Sequence, residues 1–185
     1  AVVFAASTDR DQSAHAFTSM NLWQVPTTGG EPLRLTAEGD SWARPRFSAD
    51  GNWLAALYER RSGDKVYVAT QLASVPWSTT GGDFSKRVLV TAGFDRAVSS
   101  FVLAPDSKQA WFSAEDMGGE NLYAVPLAGG KVRTVVAPEH GVYTNVSTGV
   151  AKSSAIVAAY ESASAPAEIV RVDAAKGTHT ALTHF

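Results

Sequence analysis

The chain has 185 residues, a formal net charge of −2, 45% hydrophobic residues and no cysteine. That length suffices for one sizeable core, and the near-balanced charge excludes the basic footprint of nucleic-acid or anionic-membrane binding. Without cysteine there is no disulfide or thiolate chemistry, which leaves the compartment open between periplasmic or secreted and cytoplasmic; no apolar run approaches the ~20 residues of a membrane helix.

Val2 to Ala6 opens as a strand, and Ser7 to Ser19 is polar and reads as a loop. Strands follow at 20–25 and 32–36, separated by Thr27-Thr28-Gly29-Gly30. Glycine pairs between aromatic and β-branched runs are hairpin signals, because glycine reaches positive φ without steric cost. Next come strands at 43–48 and 52–58 around Asp50-Gly51, then 65–70 and 86–91, with an insertion at Ala73 to Ser85. Four more are expected at 99–104, 109–114, 121–126 and 131–136. The last four are 142–148, 154–160, 167–172 and 178–183, with Gly149 and Lys152-Ser153-Ser154 as a turn.

These strands repeat as units. Asn21-Leu22-Trp23-Gln24-Val25-Pro26 and its Gly29-Gly30 turn align without gaps with Asn121-Leu122-Tyr123-Ala124-Val125-Pro126 and Gly129-Gly130. A weaker copy runs from Glu168 to Thr183. The hairpin around Asp50-Gly51 recurs around Asp106-Ser107, where the aspartate side chain can bond N–H groups of its own turn.

Four antiparallel strands repeated every ~45 to 55 residues is a propeller-blade pattern. Trp53 to Tyr58 and Ala110 to Ala114 are apolar on both faces, as strands buried on both sides must be. The expected fold is all-β: a β-propeller of about four blades, at 1–41, 42–92, 93–138 and 139–185, in a partial ring. The first blade is incomplete and lacks its inner strand. A single β-sandwich is the alternative; the whole-unit repeats argue against it. A ring of four blades is at the lower limit, so the chain is expected to be cut from a longer one or to complete a ring by homo-oligomeric association through exposed blades.

The Trp-Asp dipeptide of WD40 repeats is absent. Ser48-Ala49-Asp50-Gly51-Asn52-Trp53 has the letters of the sialidase aspartate box at a shorter spacing. The aspartate-turn pattern resembles the propeller repeats of TolB and of the prolyl oligopeptidase family of serine peptidases. Asp95-Arg96-Ala97-Val98 followed by Pro105-Asp106-Ser107-Lys108 resembles the acylaminoacyl-peptidase and dipeptidyl-peptidase-like branch of the latter. Phe112 to Asp116, Asn121 to Pro126 and the ending Leu182-Thr183-His184-Phe185 extend the resemblance over nearly the whole chain. It implies a propeller that caps a C-terminal α/β-hydrolase domain and restricts entry to short peptides, including N-acylated ones. The Ser-Asp-His triad would lie in that other domain.

The residues agree with a non-catalytic chain. No Gly-x-Ser-x-Gly elbow occurs; Ser147 sits in Asn-Val-Ser-Thr-Gly, without the leading glycine. His15, His140, His179 and His184 lack metal-ligand spacing, and the glycine pairs precede strands rather than helices. No catalytic residue, metal or cofactor is expected. Arg44, Arg46, Arg96, Tyr143 and Asn145 are the candidates for innermost strands facing a central channel, where an arginine could take a peptide carboxylate. The competing reading is structural pairing, such as Asp95 or Asp40 with an arginine. Two other functions stay open: a TolB-like module that binds a protein partner, and a stand-alone assembly propeller.

Overall fold

The computed structural model describes residues 1–14, 18–61, 67–138, 140–149 and 155–185. Among these the regular elements are strands and two 3-10 turns, at Arg10–Gln12 and Phe84–Lys86. The first sheet is β1 (Val2–Ala6), β2 (Asn21–Val25) and β3 (Leu33–Arg34), in that order. The second has β4 (Ser41–Phe47), β5 (Trp53–Glu59), β6 (Gln71–Ser78) and the short β7 (Gly81–Gly82), with β8 (Val88–Leu89) also on β6. The third is β9 (Ser100–Leu103), β10 (Gln109–Asp116), β11 (Gly119–Pro126) and β12 (Arg133–Val136). The fourth is β13 (Val142–Thr148), β14 (Ile156–Ser162), β15 (Ala165–Asp173) and β16 (Thr178–Ala181). A parallel bridge from Glu120 to Val142 joins the third and fourth sheets.

Local chemistry sets the turns. Asp116 pairs with Gly119 across Met117 and Gly118, whose φ angles are 51° and 82°. That is a two-residue hairpin of the kind that matches strand twist. In the β4–β5 turn the Ser48 hydroxyl donates to Asp50 Oδ1 at 2.6 Å, and the Asn52 N–H donates to the same oxygen at 3.0 Å. In the β9–β10 turn the Lys108 N–H donates to Asp106 at 2.9 Å. Gly51 and Ser107 hold the matching left-handed position, with φ of 73° and 59°. The two turns also bond each other: the Asp50 N–H donates to Ser107 Oγ at 3.0 Å.

Three cores lie between successive sheets. Leu54, Ala56 and Tyr58 of β5 pack with Leu22 of the first sheet. Ala55 and Leu57, the alternate residues, pack with Phe112, Tyr123 and Val125 of the third. Trp111, Leu122 and Ala124 face the other way, onto Tyr143, Ile156, Ala158 and Val170 of the fourth. Period-two alternation therefore sends neighbouring residues of one strand into different cores, which is how stacked blades bury both faces. The all-β propeller expected from the repeats is the observed class.

One expected element was misplaced. The third strand of the second unit was expected at 65–70 and an insertion at Ala73 to Ser85. Tyr67 to Thr70 instead carry no strand, and residues 65–66 lie outside the described ones. β6 starts at Gln71 and runs through the first half of the supposed insertion, with Leu72, Ala73 and Val75 buried. Pro76, inside that supposed insertion, stands opposite Trp53 at the end of the β5 ladder. The chain then continues, with the Trp77 N–H donating to Asn52 O at 2.8 Å. The turn assigned to Lys152-Ser153-Ser154 lies outside the described residues.

Candidate functional site

The leading strands of the second, third and fourth sheets, β4, β9 and β13, stand side by side: β4 contacts β9, and β9 contacts β13. Two of them share an irregularity that sequence reasoning missed. In β4 the register slips between the Ala43–Leu57 and Arg46–Ala55 pairs. In β13 it slips between Thr144–Ala159 and Ser147–Val157. Each is a β-bulge, and each puts a non-glycine residue in the left-handed region: Arg44 at φ 52° and Asn145 at φ 50°. Bulges re-aim side chains and concentrate near functional sites. Both residues are exposed.

Arg44 lines a small cavity of about 180 Å3 with Ser41, Glu59, Thr70 and Ser99. Its Nη1 donates to Ser99 O at 3.5 Å, while Glu59 accepts from the Thr70 hydroxyl at 2.8 Å. The cavity thus offers a cation and a carboxylate at the junction of the second and third sheets. Arg46 is exposed two residues along the same strand. No local signal marks Glu59, Thr70 or Ser99 as neighbours of Arg44.

The other candidates lie in separate networks. Arg96 is clamped by Asp95 at 2.6 Å and Asp116 at 3.0 Å. Hydrogen bonds donated by Arg96 to the Asp116 carboxylate, then to Asp95, raise the Arg96 pKa. Asp116 also accepts from the Tyr123 hydroxyl at 3.4 Å. Tyr143 is fully buried, with its ring 4.9 Å from that of Tyr160 and its hydroxyl against His179 Nδ1. Burial, then the nearby Tyr160, pushes the Tyr143 hydroxyl far up, and burial pushes His179 down. A neutral imidazole beside a protonated phenol follows, and the imidazole tautomer sets which of the two donates. The Asp40 carboxylate accepts from Tyr58 at 2.8 Å and lies 3.9 Å from Arg87.

His140 contributes its carbonyl to the Tyr160 hydroxyl at 2.6 Å, and His184 is exposed. His15 lies outside the described residues. Among the described residues no group of three acidic or histidine side chains is placed to hold a metal.

No family model matches the chain. The chain is 29% identical over 144 residues to dipeptidyl-peptidase 5 of Porphyromonas gingivalis, covering 75% of this chain and 19% of that protein. Among solved structures, puromycin hydrolase superposes with a TM-score of 0.70 at 21% identity, over 90% of this chain and 27% of that one. The β-propeller domain of the trilobed protease from Pyrococcus furiosus, which has an open velcro topology, gives 0.68 at 17% identity, over 98% and 48%. The chain is a β-propeller segment. Its sequence likeness to a dipeptidyl-peptidase supports the resemblance to prolyl oligopeptidase-family peptidases. The segment spans about a fifth of the length of that curated relative, 19%. A putative TolB from Agrobacterium tumefaciens shares the fold as well, with a TM-score of 0.61 at 16% identity, over 98% of this chain and 61% of that one.

Proposed function

We propose that this segment is the non-catalytic gate of a serine peptidase, admitting short or N-acylated peptides to an α/β-hydrolase domain of the same protein. The observation that carries the reading is the 144-residue likeness to a dipeptidyl-peptidase. In this reading the four sheets are blades at about 1–41, 42–92, 93–138 and 139–185. The adjacent leading strands β4, β9 and β13 line the channel, and the bulges aim Arg44 and Asn145 into it. Arg44 and Arg46 take the carboxylate of an entering peptide by charge-assisted hydrogen bonds. Arg96 does not serve this purpose, since Asp95 and Asp116 occupy its guanidinium.

Two measurements test the reading. The gene is read beyond Phe185 for Gly-x-Ser-x-Gly followed by Asp and His; their absence would sink it. The purified segment is then assayed on aminoacyl and N-acetylaminoacyl p-nitroanilides. It is expected to release no nitroaniline, and turnover abolished by mutating one of its own serines would refute the non-catalytic assignment.

A second reading is favoured by the likeness to the putative TolB. It makes the segment a binding module that docks a protein partner on a ring face, with no hydrolase domain. A gene carrying a separate N-terminal α/β domain would select it.

A further inference from the structure

A cleft of about 980 Å3 lies between the third sheet and the β15–β16 hairpin of the fourth. Its described lining includes no residue of the leading strands β4, β9 or β13, so it is separate from the candidate channel. Its walls carry three cations: Arg133 from β12, Arg171 from β15 and Lys176 from the β15–β16 turn. One carboxylate, Asp173, is among the described lining residues, and it is already engaged. It accepts from the N–H groups of Ala175 at 3.0 Å and Lys176 at 3.1 Å, and pairs with Lys176 Nζ at 3.6 Å. The Gln109 side-chain oxygen is likewise taken, by Arg133 Nη2 at 3.3 Å.

The wall is therefore rich in donors. The hydroxyls of Thr178 and Thr180 add to it. Trp111 lines the cleft as well and is 4% exposed. Guanidinium groups match carboxylates by paired hydrogen bonds. One phosphate would fill a small part of this volume. Three cations, one of them paired with Asp173, make too small a basic footprint for a polynucleotide.

We infer that this cleft binds an acidic peptide segment, whose carboxylates are taken by Arg133 and Arg171. The site is independent of the channel and of any peptidase activity. The test is fluorescence anisotropy of a fluorescein-labelled tetraglutamate peptide with the full chain, at low and high salt. Saturable binding that weakens with salt is expected. Arg133→Gln and Arg171→Gln are each expected to weaken it by about three- to tenfold. The distant, exposed Arg10→Gln should leave it unchanged. Arg133 and Arg171 are exposed, so their variants should keep the parent circular dichroism. Three results would overturn the inference: no saturable binding, a folded Arg133→Gln/Arg171→Gln double variant that binds as well as the parent, or equal displacement by inorganic phosphate and by unlabelled tetraglutamate.

Discussion

Replacing Arg44 by glycine separates the backbone of the candidate channel from its charge. Arg44 holds φ 52° at the β4 bulge, where an L side chain crowds its own carbonyl. That conformation costs roughly 1–2 kcal/mol, and glycine adopts it freely. Glycine in turn loses more freedom on folding, roughly 0.5–1 kcal/mol. The contact forfeited is a long hydrogen bond of 3.5 Å from an exposed side chain, which contributes little. Arg44→Gly is thus expected to stabilise the fold by about 0.5–1 kcal/mol, a rise in Tm of about 1–4 °C for a chain of this size. Asn145→Gly should gain less, because asparagine visits the left-handed region more readily. The assay is urea denaturation followed by the fluorescence of the five tryptophans. If Arg44→Gly lowered stability by more than about 1 kcal/mol, the strain argument at the bulge would be wrong. Under the proposed function the same variant binds peptide carboxylates less well, so stability and binding move in opposite directions.

Three further outcomes are expected. Phe112→Ala empties the core between the second and third sheets, where Phe112 is fully buried and stacks on Tyr123 at 5.4 Å; a loss of about 3–5 kcal/mol is expected in the same denaturation assay. Ser107→Ala removes the acceptor of the Asp50 N–H and keeps the left-handed backbone; it should cost about 1 kcal/mol, and Asp50 amide hydrogen exchange should quicken. His179 has a folded pKa depressed by burial, so the unfolded chain binds its proton more readily. Its contribution is fully present above the ordinary histidine pKa of about 6.5 and is lost as pH falls through the depressed value. Denaturation midpoints at pH 7.5 and below pH 6 should therefore differ less in His179→Gln than in the parent, and an unchanged difference would remove His179 from the acid sensitivity.

What the sequence by itself determined is what short-range chemistry controls. Short apolar runs bounded by turn residues placed most strands within one or two residues, because a strand buried on both faces needs apolar side chains at successive positions. Asp50 and Asp106 announced their turns, because each forms within a few residues of chain. The repeat announced the blades, because stacked units need the same two-faced strand each time. β6 was misread for a local reason: Ala73 to Ser85 reads as an insertion by itself, and it is pairing with β5, β7 and β8 that holds Gln71 to Ser78 extended.

Tertiary structure decided which candidates are available. Arg44 and Arg96 look alike as sequence, yet Asp116, twenty residues on, clamps one, while a bulge exposes the other. Tyr143 and Asn145 sit two apart in one strand, and the pleat and the bulge bury the first while exposing the second. The cationic cleft was invisible for the same reason: Trp111, Arg133 and Arg171 come from three strands, and only sheet packing brings them to one wall. A turn forms among near neighbours and so can be read locally. A site forms where distant strands meet, and its position depends on how whole sheets stack.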